Sequence, residues 1–303
     1  MGLMPGSTDE AVVGGERVRY YVAGSGPPVV LLHGLGGSAA VWHRNLPALS
    51  RRFRVFAPEL WGAAPDGRRG GPDTPEGPEA GVRFVSGFLD AVGCASAHLV
   101  GGSLGGFMAG STAIADPGRV RSLTLIGTAG LGRRIAFSQR LLTLPFIGEA
   151  MFRPSRRRVR RMLAMLIAEW DADAEQLVDE LYAVRCQPGV SRRMLEVLRS
   201  GINLLGIKRS TRLLPALCDV QTPTLLVWGS RDPLFPIEDA RRAAGVLHDA
   251  ELLVVEGSGH WPYLEAPETF NRALLGFLAR SEEALGQSHT GWGGLLTLSP
   301  ARC

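Results

Sequence analysis

Along most of the chain, short apolar runs alternate with helix-length stretches of mixed polarity. Residues 19–23 (RYYVA) switch between polar and apolar positions, as a half-buried strand does. Residues 28–32 (PVVLL), 53–58 (FRVFAP), 97–100 (AHLV), 120–126 (VRSLTLI), 224–228 (TLLVW) and 251–255 (ELLVV) are mostly apolar throughout. A short run that is apolar at nearly every position predicts a strand covered on both faces. Strands of this kind, with helical spacers between them, predict an α/β fold with a mostly parallel sheet flanked by helices.

One interval breaks the rhythm. Between about residues 130 and 217 no strand-like run occurs, and apolar residues recur at helical spacing. Val159, Met162, Leu163 and Leu166 form one set, Leu177, Val178, Leu181 and Val184 a second, and Leu195, Leu198, Ile202 and Leu205 a third. Pro145, Pro154, Pro188 and Gly189 punctuate them. A structureless loop of that length is rare in a compact domain. The reading is therefore a core of residues 11–129 and 218–281 with a helical cap, residues 130–217, inserted into it. Residues 1–10 and 282–303 read as weakly structured tails, and residues 62–81, dense in Gly, Pro and acidic side chains, as a loop.

Composition narrows the function classes. Of 303 residues, 45% are hydrophobic and 20% charged, which excludes a disordered or collagen-like chain. The net charge of +4 is too small to require a nucleic acid or other anionic partner. Lys208 is the one lysine, and all other cationic side chains are Arg. Cys94, Cys186, Cys218 and Cys303 show neither a CxxC pair nor a framework spacing, so they read as reduced thiols. No apolar run approaches the roughly 18 residues of a membrane span. The first residues lack the basic-then-apolar layout of a signal peptide. The expectation is a cytoplasmic protein with no integral membrane segment and no nucleic-acid partner; a homodimer stays open.

The sharpest local signal is Gly101-Gly102-Ser103-Leu104-Gly105-Gly106, placed directly after the run AHLV and before a helical stretch. A serine on a tight strand-to-helix turn needs neighbours almost free of side chain two positions away on each side. Gly101 and Gly105 meet that need. The turn lifts the hydroxyl at the carboxyl edge of the sheet, where open α/β sheets bind ligands, and at a helix start, which favours developing negative charge.

A serine hydroxyl needs a base. Of the six histidines, His289 falls in the tail, His248 ends a helical stretch, His98 lies inside a strand and His43 in the helix after His33-Gly34. His260 follows ELLVVEGSG, in the loop after the last strand, on the same sheet edge as Ser103. The base needs an acid to hold its tautomer. Asp232, just past TLLVWGSR, occupies such a place, although an Asx turn before Pro233 would also account for it. Asp219, Asp239 and Asp249 do not. The chain order Ser103, Asp232, His260 is that of nucleophile, acid and base in one hydrolase fold.

Four blocks carry a wider resemblance: LLHGLGGSAAVW (31–42), GGSLGG (101–106), WGSRDPLFP (228–236) and GSGHWPYLEAPETF (257–270). In this order, each after a strand, they resemble the α/β-hydrolase-fold serine hydrolases over about residues 18–280. The resemblance implies a sheet of about eight strands with a lid inserted after the sixth. It implies a catalytic triad of Ser103, Asp232 and His260, and an oxyanion hole formed by the backbone N–H groups of Leu35 and Leu104. His33 is then structural, and Trp42 packs behind the loop. Gly34, Gly102, Trp261 and Met162 are candidates for the substrate pocket. No cofactor and no metal is implied. Relatives that open epoxides or remove halide carry Asp at the position of Ser103, which disfavours those activities. The segment after the fourth strand usually begins with Asp; here it is Glu59-Leu60-Trp61-Gly62, which changes the adjoining pocket wall.

The expected reaction is hydrolysis of a carboxylic ester of a small to medium apolar substrate through an acyl-enzyme. The alternative is hydrolysis of a carbon–carbon bond in a diketone from ring meta-cleavage, because Gly259-His260-Trp261 and the helical cap resemble that branch. Gly102 speaks against it, since that branch carries Asn there, and the His-Gly block lacks its Pro. That branch also places an Arg of the cap near the substrate. Arg153, Arg156, Arg157, Arg158, Arg160 and Arg161 crowd one segment, which reads first as a solvated helix face. Met151, Phe152, Met162, Met165 and Leu166 are expected to form an apolar acyl pocket if they face the core. A reading from another class is a non-catalytic or slow ligand receptor on the same fold.

Overall fold

The computed structural model describes residues 4–60 and 77–290. Its centre is an eight-stranded sheet in the order β1-β2-β4-β3-β5-β6-β9-β10. The strands are β1 (Ser7–Val13), β2 (Glu16–Ala23), β3 (Pro28–Leu32), β4 (Arg54–Pro58), β5 (Ala97–Gly102), β6 (Val120–Ile126), β9 (Thr224–Gly229) and β10 (Ala250–Val255). β2 runs antiparallel to β1 and to β4, and every other pairing is parallel. The runs that are apolar at nearly every position became the central strands: β5 and β9 are buried at every residue. Helices cover both faces, as strands without a polar side require. Helices α2 (Pro78–Ala91), α3 (Leu104–Ala115) and α10 (Ile237–Val246) pack on one face, through Phe88, Met108 and Ala240 among others. Helices α1 (Leu46–Leu49) and α12 (Pro267–Thr290) pack on the other, through Leu46, Phe270 and Leu274. Apolar burial on both faces is the main favourable term in such a fold.

The sheet order matters for the site. β3 has β4 on one side and β5 on the other, so the chain reverses its direction of travel across the sheet there. The loops after β3 and β5 therefore diverge and leave a crevice at the carboxyl ends of the strands.

Between β6 and β9 lie five helices, α4 (Phe137–Leu141), α5 (Ile147–Phe152), α6 (Arg156–Leu166), α7 (Ala172–Cys186) and α8 (Val190–Gly201), and then the short α9 (Leu214–Leu217). The helical spacing read through Leu195, Leu198, Ile202 and Leu205 holds only as far as α8: Ile202 lies in a two-residue ladder, β7 (Ile202–Asn203) with β8 (Gly206–Ile207), and Leu205 in its turn, a hairpin too short to leave an alternation of its own.

Four readings are corrected. Residues 7–10 are not a tail: they begin β1, an edge strand whose first four side chains are all exposed and so carry no apolar signal. Residues 282–290 are not a tail either, since α12 continues to Thr290. Glu282 there binds the Arg121 guanidinium and His98 Nε2 (2.9 Å), which fastens the helix to β5 and β6. The loop read over residues 62–81 gives way to α2 from Pro78, and residues 61–76, Trp61 included, lie outside the described residues. His43 caps a 3-10 turn, Ala39–Trp42, instead of lying inside a helix. Among the described residues no helix is long and apolar enough to cross a membrane.

Candidate active site

β5 ends in the glycine cluster, and the backbone turns from strand to helix within Ser103, whose φ of 54° and ψ of −112° lie outside the regions that non-glycine residues favour. The surroundings hold it there. Its N–H donates to the Ile126 carbonyl (2.8 Å), and its carbonyl accepts from Phe107 N–H (3.0 Å). A Cβ on Gly101 would strike the backbone of Gly105 and Gly106, and one on Gly105 would strike the Leu32 carbonyl. These are the two positions where the tight-turn argument demands glycine.

His260 lies in the loop between β10 and α11 (Pro262–Glu265) and is 2% exposed. Its Nδ1 is 2.8 Å from Asp232 Oδ2, so the Nδ1–H donates to the carboxylate and Nε2 is left as an acceptor. Asp232 Oδ1 accepts from the N–H groups of Leu234 (2.8 Å) and Phe235 (3.2 Å). The Asx turn and the partnership with histidine therefore coexist on one carboxylate. The Phe235 ring flanks the imidazole at 5.6 Å.

Ser103 and His260 line one cavity of about 1220 Å³ between the sheet edge and helices α4 to α8. His260 Nε2 is buried with no hydrogen-bond partner among the described residues, so the bond to the Ser103 hydroxyl is not made. In unliganded enzymes such bonds often form only around substrate. Leu35, Leu104, Met162 and Trp261 also line the cavity. Leu104 is the first residue of α3, where a helix offers its N–H no internal acceptor.

Two pocket candidates are displaced. Gly34 and Gly102 stand behind the wall: a Cβ on Gly34 would lie 3.0 Å from the Ser103 Cβ, and one on Gly102 would lie 3.3 Å from the Tyr263 ring. They leave room for the turn rather than contact the cavity. Met162, Leu166, Met151, Phe152 and Met165 line the cavity, together with Arg158, Arg161, Arg192 and Arg193 of the same segment.

Gly127, Glu265 and Arg185 escaped the sequence reading. Gly127, with φ of 47°, faces the His260–Asp232 pair: a Cβ there would lie 2.9 Å from His260 Nδ1. Its signal was present, a glycine directly after β6 on the same sheet edge. Glu265 accepts from Ser258 Oγ (3.0 Å) and Gly259 N–H (2.9 Å), and from Ala168 N–H (2.6 Å) just past α6. Leu166, at the end of α6, accepts from His260 N–H (2.7 Å). Arg185, on α7, is 6% exposed and lines the cavity. Its guanidinium reaches Met162 Sδ (2.8 Å) and lies against Gly36 of the loop after β3, and its Nε is unpartnered. Loss of hydration lowers its pKa to about 10, so it remains cationic at neutral pH. It has no carboxylate partner among the described residues. The crowded arginines of α6 divide: Arg156 and Arg160 pair with Glu175 and Asp179 at the surface, whereas Arg158 and Arg161 also line the cavity.

His33 is buried and neutral, its pKa pushed down to about 4 by desolvation, and its Nε2 accepts from Leu60 N–H (3.1 Å). It braces the loop after β3 against the end of β4 and does not line the cavity. Glu59 beside it is buried, and desolvation raises its carboxyl to about 7. His98 bonds Ser122 Oγ (2.7 Å) inside the sheet, and His248 is exposed.

The sheet order, the strained serine turn and the histidine–carboxylate pair define a class, and the comparisons agree with it: the chain belongs to the alpha/beta hydrolase fold family, whose model matches residues 27–267. Among curated relatives, it is 32% identical to 2-hydroxy-6-oxononadienedioate/2-hydroxy-6-oxononatrienedioate hydrolase 1 of Dechloromonas aromatica, over 86% of this chain and 90% of that one. It is 33% identical to the dihydrolipoyllysine-residue acetyltransferase component of the acetoin cleaving system of Pseudomonas putida, over 89% of this chain and 69% of that one. A solved meta-cleavage product hydrolase from Pseudomonas fluorescens superposes with a TM-score of 0.74 at 24% identity, over 90% of this chain and 98% of that one, a likeness of fold.

Proposed function

We propose that the protein is a serine hydrolase that cleaves a carboxylic ester through an acyl-enzyme, with Ser103 as nucleophile, His260 as base and Asp232 as its orienting acid. One observation carries this reading. His260, held at Nδ1 by Asp232, lines the cavity that Ser103 also lines, and its Nε2 has no partner among the described residues. On substrate entry Nε2 accepts the hydroxyl proton while Ser103 Oγ attacks the carbonyl carbon. The N–H groups of Leu35 and Leu104 take the oxyanion, each contributing about 3 kcal/mol to the transition state. The imidazolium then protonates the leaving alkoxide. Water, deprotonated by His260, releases the acid and restores the serine. Asp232 stays ionised throughout and stabilises the imidazolium.

The cavity gives the substrate an apolar body, through Met162, Leu166 and Trp261, and an anionic end, through Arg185. A buried guanidinium with no carboxylate partner is costly unless a ligand supplies one. Short-chain p-nitrophenyl esters are expected to be hydrolysed, and Ser103→Ala to reduce kcat by at least about 10⁴-fold. Full activity in that variant would remove the nucleophile assignment. Arg185→Gln is expected to lower kcat/KM for a carboxylate-bearing ester by about 10-fold or more and to leave neutral esters nearly unchanged.

A second reading is favoured by Arg185 together with the Dechloromonas relative, which is named for dioate substrates. In it the same serine and histidine cleave a carbon–carbon bond of a vinylogous 1,5-diketone that bears a carboxylate. Turnover of such a diketone without turnover of esters would select it. Tight binding of either compound with no turnover would select a receptor instead.

A further inference from the structure

Residues 130–217 hold sixteen Arg and Lys side chains against eight Asp and Glu, a net +8, while the whole chain carries only +4. The acidic side chains of this segment gather mainly along α7 and the residue before it, at Asp171, Asp173, Glu175, Asp179 and Glu180. A different part of the segment is both basic and apolar at its surface.

There the β7–β8 hairpin and the segment leading into α5 stand side by side. Leu144, Leu204 and Leu205 line one shallow depression together with Arg199 and Lys208. Phe146 follows Leu144 by two residues. It is 87% exposed, and Leu205, at the hairpin tip, is 89% exposed. Water surrounds both side chains almost completely, which is unusual for residues this apolar in adjoining segments. The backbone presents Phe146 at a cost: its φ is 66°, a region that bulky residues avoid. Ile147 and Met151, also exposed, continue the apolar strip and line the wall of the catalytic cavity.

Cationic residues lie on or beside these segments: Arg133 and Arg209 are exposed, and Arg140, Arg199 and Lys208 are half-buried. Arg199 binds the carbonyls of Thr143 (3.2 Å) and Leu144 (3.1 Å), and Lys208 Nζ binds the Arg199 carbonyl (2.6 Å). Arg209 follows Lys208, Arg133 packs its carbonyl on Ile207 N–H (3.2 Å), and the Arg140 carbonyl accepts from Thr143 Oγ1 (2.7 Å). The one carboxylate in these two segments is Glu149, which pairs with Arg199 at 2.6 Å, so the net positive charge here rests on Lys208 and the neighbouring Arg133, Arg140 and Arg209.

We propose that this face docks on an anionic lipid bilayer, with Phe146 and Leu205 entering the interface and the arginines and Lys208 meeting the headgroups. Apolar side chains that project beside cationic ones are complementary to a negatively charged membrane surface. A second copy of this chain is a poorer occupant. A two-fold contact through this face would set the same cations against each other. Docking places the Ile147–Met151 wall of the cavity beside the bilayer, so substrates that partition into lipid reach the site without crossing water. The docking itself does not rest on the catalytic reading.

The test is sedimentation of the full chain with phosphatidylcholine vesicles that contain either no phosphatidylglycerol or about a third of it, at low and high salt. The expected result is binding to the anionic vesicles that weakens with salt, and little binding to the neutral ones. The double variant Phe146→Ser/Leu205→Ser, checked for an unchanged circular dichroism melt, is expected to bind at least about 10-fold more weakly. Ser103→Ala is expected to bind as the wild type does, so loss of the enzyme reading and loss of this one are separable. Absence of binding to anionic vesicles would overturn the proposal. So would a wild-type dimer in sedimentation equilibrium that the double variant converts to monomer.

Discussion

Gly127 sets the clearance around the imidazole. With a Cβ 2.9 Å from His260 Nδ1 and 3.1 Å from Asp232 Oδ2, Gly127→Ala pushes the pair apart. A displacement of this order is expected to cost about 100-fold in kcat, measured on a p-nitrophenyl ester, with KM changed far less; an unaltered kcat would show that the pair tolerates the shift. Single buried groups also shape the pH dependence of stability. His33 and His98 have pKa values pushed down to about 4 by burial. Unfolding returns them to their ordinary value of 6.5, so between those limits the unfolded chain binds more protons and stability rises with pH. Glu59 opposes them, because its folded pKa of about 7 lies above its ordinary 4.5 and the folded state keeps a proton across that window. His98→Gln should flatten the rise in unfolding free energy between pH 4 and 6.5, and Glu59→Gln should steepen it above 4.5, in urea titrations. Slopes unchanged in both variants would contradict the assigned burial effects.

At the scale of elements, the serine turn is the junction on which β5 and α3 both depend. Gly105→Ala would drive a methyl into the Leu32 carbonyl on β3, so strand and helix must separate. The expected outcome is a loss of several kcal/mol in thermal or urea unfolding, of the order seen when a buried backbone contact is disrupted; stability within 0.5 kcal/mol of wild type would be inconsistent with so close an approach. Local residue pattern made this element readable. Gly101 and Gly105 flank the serine in the sequence itself, and Asp232 and His260 each follow a strand that is apolar enough to recognise. Other elements gave no such trace. β1 begins with four exposed polar residues, STDE, and is a strand because β2 pairs with it. The end of α12 is poor in apolar residues and is fastened by Glu282 to Arg121 and His98, a contact between positions distant in the chain. Arg185 is indistinguishable by sequence from the exposed Arg192; it is buried only because α7 closes over the loop after β3.

For the molecule as a whole, the helices between β6 and β9 are tied to the sheet domain on one side. Arg44, next to the 3-10 turn Ala39–Trp42, holds Asp171 (2.6 Å) and Asp173 (2.7 Å) ahead of and within α7. Glu265 and the His260 N–H hold the end of α6. Arg44 is partly exposed, so its ion pairs are worth at most about 1 kcal/mol. Arg44→Ala is therefore expected to leave the melting temperature nearly unchanged while amide exchange in α7 accelerates and that in β5 and β6 does not; equal protection throughout would mean that the tether plays no part in seating α7. With the helices seated, Ser103 and His260 line one cavity, and His260 Nε2 has no hydrogen-bond partner among the described residues. The most direct test of that convergence is peptide mass spectrometry after treatment with a serine-directed fluorophosphonate. The expected result is a single phosphonyl adduct on Ser103 in the wild type, with labelling slowed by orders of magnitude in His260→Ala. A label on any other residue, or equal labelling rates in the two proteins, would contradict the account.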